Sequence, residues 1–288
     1  MLSTLLRRAA LCVLVGAAAV TATAASSAAS AVSAAGNKPE EPSGRADGTS
    51  IFVYGDSLTF GWIYDVDTQI VSRMPRSSTW PEVMKKALQS SGRIPECCRV
   101  EIDALGGRTT DLDEPDSPGS GLIPGETYNG LRTLPAALSA HMPVDLVIVM
   151  LGANDLARHH GRNAEGVAQG LVNLVDCVRT AAWQRRTSYA APRVLVVLPP
   201  AFDGDDTPYG DFFSGALEKS RDWARVIEPA VRAAGADFLD AAPVVGLPDQ
   251  PDHVHLTIEE TEKLGLAVAA KVEHMLSPGK PTSEKGQR

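Results

Sequence analysis

Residues 144–155 read VDLVIVMLGAND. From Val144 to Leu151 only Asp145 is polar, so an extended segment here is apolar on both faces. Such a strand belongs inside a parallel sheet that helices cover on both sides. The run stops at Gly152, and the polar pair Asn154-Asp155 follows at once. Working outward, RVLVVL at 193–198 is a second buried strand, stopped by Pro199-Pro200. Residues 50–54 form a short apolar strand that ends in Gly55-Asp56-Ser57, and 99–105, RVEIDAL, alternates like a strand. Residues 237–240 make a fifth, short one. Helical segments are expected at 80–91, 129–140, 164–182, 214–234 and 257–276. In the first, Pro81 suits a first turn, and Val83, Met84 and Leu88 share a face. In the third, Val167, Leu171, Leu174, Val175 and Val178 form the apolar side. Five strand–helix alternations predict an α/β protein, a five-stranded parallel sheet with helices on both faces.

The chain has 288 residues, a formal charge of −8 and 44% hydrophobic residues, which is enough apolar material for one large core. An acidic balance with no basic stripe argues against a nucleic-acid partner. The first 36 residues are different in kind. Arg7 and Arg8 precede an apolar stretch from Ala9 to Val20, and an Ala/Ser-rich segment follows. A charged start, a short apolar core and small-residue sites describe a secretory signal peptide. Ala22-Thr23-Ala24 and Ala29-Ser30-Ala31 both suit cleavage. The apolar core falls short of the roughly 20 residues a membrane span needs, so a secreted protein is expected, with an uncleaved anchor as the alternative. Residues 37–48 read as a polar linker, 49–276 as the folded domain and 277–288 as a polar tail. Cys12 goes with the leader, which leaves Cys97, Cys98 and Cys177. Export permits a disulfide. Cys177 bonded to one of the adjacent pair, or three unpaired thiols, are both open readings; no cysteine spacing resembles a zinc site.

In a parallel sheet the ligand site lies outside the carboxyl ends of the strands. The residues just after the strands are Gly55-Asp56-Ser57, Gly106-Gly107-Arg108-Thr109-Thr110, Gly152-Ala153-Asn154-Asp155 and Asp252-His253-Val254-His255. Gly, Asp and Ser alone would only make a turn. Four such groups at one sheet edge can make a nucleophilic site. Ser57 needs a base, and the His255 imidazole can take its proton. Asp252, three residues earlier, can fix the tautomer of that ring. Backbone N–H groups of Ser57 and Gly107, with the Asn154 amide, can hold an oxyanion. Activity should rise with pH as the imidazole loses its proton.

Plainer roles are assigned to other residues. Asp56 is expected to hold the Ser57 turn, and Asp155 to bond nearby backbone N–H groups. Arg108 either binds a substrate carboxylate or braces its loop, with bracing favoured. His159-His160 are expected to face solvent, and Asp203, Asp205 and Asp206 to sit in a solvated turn. A metal on Asp252, His253 and His255 is not favoured. Phe60 and Trp62 are expected to line the substrate pocket; Phe202, Tyr209, Phe212 and Phe213 lie at the same edge but are treated mainly as core. Residues 111–128 form a long Gly/Pro-rich segment that either covers the site or makes a subunit contact.

These blocks, GDSL around Ser57, GGRTT around Gly107, GAND around Asn154 and DHVH around His255, resemble those of the SGNH or GDSL hydrolases, in the family's order. GDSLTFGW, RTTDLDEP, DLVIVMLGAND and RVLVVLPP are most similar to the mycobacterial-type arylesterase and acyltransferase branch. The resemblance implies a three-layer flavodoxin-like fold, an acyl-enzyme on Ser57 and no cofactor or metal. It gives Asp252 to His255, and Gly107 and Asn154 to the oxyanion hole. It leaves a homo-oligomer open. The chain departs from that branch in its export signal and in Gly107, where close relatives carry a slightly larger residue. Ester hydrolysis is therefore expected ahead of acyl transfer. The expected substrate is a small or short-acyl ester, in the order esterase, then acyltransferase or carbohydrate deacetylase, then lysophospholipase or lipase. The rivals from other classes are a non-catalytic binding module and a metal-dependent phosphoesterase.

Overall fold

Five strands carry the molecule: β1 (Thr49–Gly55), β4 (Cys97–Ala104), β5 (Leu146–Met150), β6 (Arg193–Leu198) and β7 (Asp237–Asp240). This computed structural model describes residues 48–94, 97–115, 123–180 and 189–277. The expected leader, nearly all of the linker and of the tail, and the middle of the 111–128 segment lie outside the described residues. Among the described residues, no helix is long and apolar enough to cross a membrane.

The strands form one sheet in the order β4-β1-β5-β6-β7, and every neighbouring pair is parallel. This is the flavodoxin-like order. The chain moves outward one way from β1 to β4, then crosses back to β5, so the order reverses between β1 and β5. A crevice opens at such a reversal because successive helices leave on opposite faces. Ile51 to Tyr54 and all five residues of β5 are buried, as the doubly apolar reading of 144–151 requires.

The helices are α1 (Ser57–Phe60), α2 (Trp80–Ser91), α3 (Gly130–Ser139), α4 (Ala164–Thr180), α5 (Ala216–Ser220), α6 (Ala224–Ala233), α7 (Ala242–Val245) and α8 (Ile258–Leu276). α2 packs on α8, while α4 packs on both α3 and α6. Right-handed crossovers place these two groups on opposite faces of the sheet, which gives three layers. Gly265 permits the α2–α8 approach. A Cβ there would lie 2.7 Å from Val83 Cβ and 2.8 Å from the Trp80 carbonyl oxygen.

Three features differ from the sequence reading. The helix expected over 214–234 is two, α5 and α6, separated by a turn that buries Trp223. An antiparallel hairpin, β2 (Trp62–Asp65) with β3 (Ile70–Arg73), stands outside the main sheet. Its strands are too short to give a periodic signal. Finally, Cys98 is disulfide-bonded and Cys177 is a free, half-buried thiol whose pKa burial raises, so both readings left open for the cysteines are corrected.

Candidate active site

β1 ends at Gly55, and the next residue turns the chain. The Asp56 side chain caps α1, its Oδ1 accepting the Leu58 N–H at 3.0 Å. That cap fixes Ser57 as the first residue of a one-turn helix at the sheet edge. On the far side of the sheet order, the loop before α8 brings in the base. His255 Nε2 lies 2.8 Å from Ser57 Oγ, and His255 Nδ1 lies 2.6 Å from Asp252 Oδ2. The three residues sit at 5%, 3% and 0% exposure for Ser57, His255 and Asp252. Serine, imidazole and carboxylate therefore form one buried hydrogen-bonded chain.

The base loop is held from several sides. Asp252 Oδ1 accepts the backbone N–H of His255 at 3.0 Å and of Val254 at 3.1 Å. The carboxylate can fold back this way because His253 adopts φ 60°, the left-handed region that histidine visits more readily than most residues. Beyond it, Thr257 and Glu260 form a capping box that starts α8 two residues after His255. Gln250, buried, accepts the Tyr64 N–H at 2.8 Å and donates to the carbonyls of Trp62 and Leu256. It ties the β2–β3 hairpin to the base loop. The sequence reading missed both devices, although Thr257-x-x-Glu260 is a legible capping signature.

Burial favours a neutral Asp252, but the His255 hydrogen bond and charge, with the two backbone N–H groups, outweigh it and lower its pKa to about 2. Tyr209 adds a third donor type: its hydroxyl donates to Asp252 Oδ2 at 2.9 Å. Burial and then the Asp252 charge push the phenol well above its ordinary pKa, so it stays a neutral donor. The sequence placed Tyr209 mainly in the core; its contact with the carboxylate comes from a loop more than forty positions away (Tyr209 against Asp252), which no local pattern encodes.

The oxyanion side is equally specific. Ser57, Gly107 and Asn154 all line the same cavity. Among the described residues, the Ser57 and Gly107 backbone N–H groups meet no acceptor, so both are available to a developing anion. Gly107 has φ 85°, a conformation that favours glycine, and a Cβ there would lie 3.3 Å from the Tyr128 ring. Asn154 is already engaged: its amide nitrogen donates to Asp56 Oδ2 at 3.2 Å and to the Arg108 carbonyl at 3.1 Å. It must share one of these hydrogens to serve as a third donor. Asp155 reaches across to the GGRTT block around Gly107 rather than to chain neighbours. It accepts the Thr110 N–H at 2.9 Å, the Thr110 hydroxyl, and Arg162 at 2.9 Å.

Arg108 does not line the cavity, so of its two expected roles, carboxylate binding and bracing the loop, the contacts fit the favoured one, bracing. Its guanidinium donates to the carbonyls of Gly55 and Asp103 at 2.9 and 3.0 Å and to Asp103 Oδ1 at 2.7 Å, over the Tyr54 ring. A buried arginine must spend its donors on fixed acceptors, and here they brace the loop. Phe60 and Trp62 do line the cavity, joined by Tyr128, Tyr209, Phe212 and Phe213. The cavity holds about 660 Å³. The Trp62 ring lies 5.6 Å from that of His255. His159 and His160 do not both face solvent; their Nε2 atoms lie 2.9 and 3.0 Å from the two carboxylate oxygens of buried Glu114. His253 approaches Asp203 and Asp206 at 3.5 and 3.3 Å, so that aspartate turn backs the base loop.

Comparison with known proteins agrees with this geometry. Residues 53–259 match the GDSL-like Lipase/Acylhydrolase family. No curated protein matches the chain. Among solved structures, a carbohydrate acetylesterase from Sinorhizobium meliloti is 33% identical, with TM-score 0.68 over 79% of this chain and 99% of that one. The M. Smegmatis aryl esterase is also 33% identical, with TM-score 0.68 over 79% of this chain and 100% of that one. The chain belongs to the GDSL-like lipase/acylhydrolase family and is a carboxylic ester hydrolase.

Proposed function

We propose that this protein is an exported serine esterase that cleaves short-acyl or small aromatic esters through an acyl-enzyme on Ser57. One observation carries the reading: the Ser57–His255–Asp252 chain opens onto a cavity walled mainly by apolar side chains, Phe60, Trp62, Tyr128, Tyr209, Phe212 and Phe213 among them. His255 Nε2 takes the proton of Ser57 as Oγ attacks the ester carbonyl carbon. The oxygen that gains charge meets the free N–H groups of Ser57 and Gly107. Asp252 balances the imidazolium. Collapse breaks the bond to the alcohol, which leaves with the proton from His255. Water then repeats the sequence and frees the acid.

The lining favours aryl or short acyl groups over sugars, which need many polar partners. Apart from Ser57, Asn154 and His255, the polar side chains lining the cavity are the two tyrosines, Tyr128 and Tyr209. A carbohydrate acetylesterase reading therefore ranks second, although one solved relative bears that description. Export rests on the leader-like residues 1–36.

The test is hydrolysis of p-nitrophenyl acetate and octanoate, with Ser57→Ala alongside. Acetate should be the faster substrate, and the variant should lose about 10⁴-fold or more in kcat. An active Ser57→Ala protein would overturn the mechanism. Faster octanoate cleavage would move the substrate class to longer acyl chains.

A further inference from the structure

We propose that Glu114, His159 and His160 form a binding site for one divalent d-block cation, zinc by preference, at the rim of the active-site cavity. Three observations carry this. The first is distance. His159 Nε2 lies 2.9 Å from Glu114 Oε2, His160 Nε2 lies 3.0 Å from Glu114 Oε1, and the donor atoms all fall within 4.8 Å of one another. A tetrahedral ion about 2.0–2.2 Å from each donor holds neighbouring donors about 3.3–3.6 Å apart. The three donors already converge on one point, and small side-chain rotations bring them to that spacing.

The second is burial. The side chains of Glu114 and His160 are 3% and 6% exposed. A buried carboxylate demands compensation. Among the described residues, the side chains that bond it are these two imidazoles. The neighbouring arginines are committed elsewhere, Arg158 to Asp211 at 2.8 Å and Arg132 to Asp113 at 2.9 Å.

The third is convergence. His159 and His160 are consecutive in the 3₁₀ turn Arg158–His160, where neighbouring side chains diverge by about 120°. Both rings nevertheless turn to one carboxylate, with centroids 4.0 Å apart. Without an ion, each imidazole donates Nε2–H to the carboxylate. With one, both take the Nδ1–H tautomer and offer Nε2 lone pairs, and no proton need leave. Two imidazoles and one carboxylate are a zinc donor set with a fourth position for water. Imidazole nitrogens disfavour calcium and magnesium.

The site would join two segments. Glu114 N–H donates to the Gly125 carbonyl at 3.1 Å, and Ile123, two residues before Gly125, lines the cavity. His159 packs on Phe212, another lining residue, at 5.3 Å. A bound ion would thus brace the cavity wall without touching Ser57 or His255.

The test uses tag-free protein stripped with a chelator and then titrated with zinc chloride by calorimetry. We expect one zinc per chain and a melting temperature that rises with zinc. Affinity should fall by more than about tenfold in Glu114→Gln and in His160→Ala, and stay unchanged in His253→Ala. If Glu114→Gln does not fold, His159→Ala, at the more exposed ligand, carries the same comparison. The proposal is overturned if the wild type binds no zinc. It is also overturned if binding survives these ligand substitutions, or is lost only with His255→Ala.

Discussion

Asp56 and Asp252 are both completely buried, and each touches a catalytic side chain or its neighbour, yet they titrate in opposite directions. Asp56, in the nucleophile turn, is pushed up to about 7 by burial; the Leu58 N–H bond and the charges of His255 and Arg108 only moderate that. Asp252, in the base loop, is driven down to about 2, because His255 bonds it directly and two backbone N–H groups add to the pull. The lesson is that burial alone does not set the charge of a carboxylate; the balance between burial and the donors and charges aimed at it does. The nucleophile turn needs an acceptor that shapes a helix start. The base loop needs a permanent anion beside an imidazole that must become charged.

Substitutions can break that contrast. The largest effect is expected for Asp252→Asn, which removes the anion and misdirects the His255 tautomer. The kcat for p-nitrophenyl acetate should fall by about 10³–10⁴-fold. A loss below tenfold would mean that the imidazole does not depend on this carboxylate.

Asp56→Asn comes next. It disturbs both the cap on α1 and the hydrogen bond that holds Asn154, so kcat should fall about 10–100-fold with little change in KM. An unchanged kcat would show that Asn154 needs no anchoring.

The two carboxylates should also split in stability against pH. Asp56 has a folded pKa above its unfolded value, so its contribution is full below about pH 4 and is lost as pH rises through about 7. The difference across that window is on the order of 4 kcal/mol. Asp252 has a folded pKa below its unfolded value, so its contribution is present above about pH 4 and is lost as pH falls through about 2. Melting temperatures of wild type and Asp56→Asn, measured from pH 5 to 8, should therefore draw together or cross as pH rises. Parallel curves would remove Asp56 as the group responsible.

The smallest effect is expected for Tyr209→Phe. Losing one donor leaves Asp252 more basic and better able to stabilise imidazolium. The acid limb of the pH–rate profile should move to higher pH, with kcat at its plateau changed by only about 2–5-fold. A merely structural tyrosine would leave the profile in place.

Much of this was legible in the chain. The doubly apolar run 144–151, the RVLVVL strand and the helix at 80–91 announce themselves through local pattern, and their positions match β5, β6 and α2 closely. Ser57, Gly107, Asn154 and His255 were legible because each follows a strand or a short loop at the same sheet edge. Other features lay beyond local pattern. Gln250 reaches a hairpin whose Tyr64 is 186 positions away, Tyr209 reaches Asp252 across 43 positions, and Glu114 meets His159 across 45. Arg108 sat in a block rich in substrate-facing groups, and only its fixed carbonyl partners reveal that it braces.

The sequence by itself determined the layered α/β architecture, because strand and helix periods are written in neighbouring residues. It also brought Ser57, His255 and Asp252 forward as the candidate site, because a serine site draws on few residue types and a parallel sheet delivers them to one edge. The tertiary structure decided the charge states of Asp56 and Asp252, the commitment of Asn154 and Arg108, the role of Tyr209 and the meeting of Glu114 with two histidines. Those depend on which dipoles and charges lie within hydrogen-bond reach. That is a property of packing between segments far apart in the chain, and no stretch of sequence carries it alone.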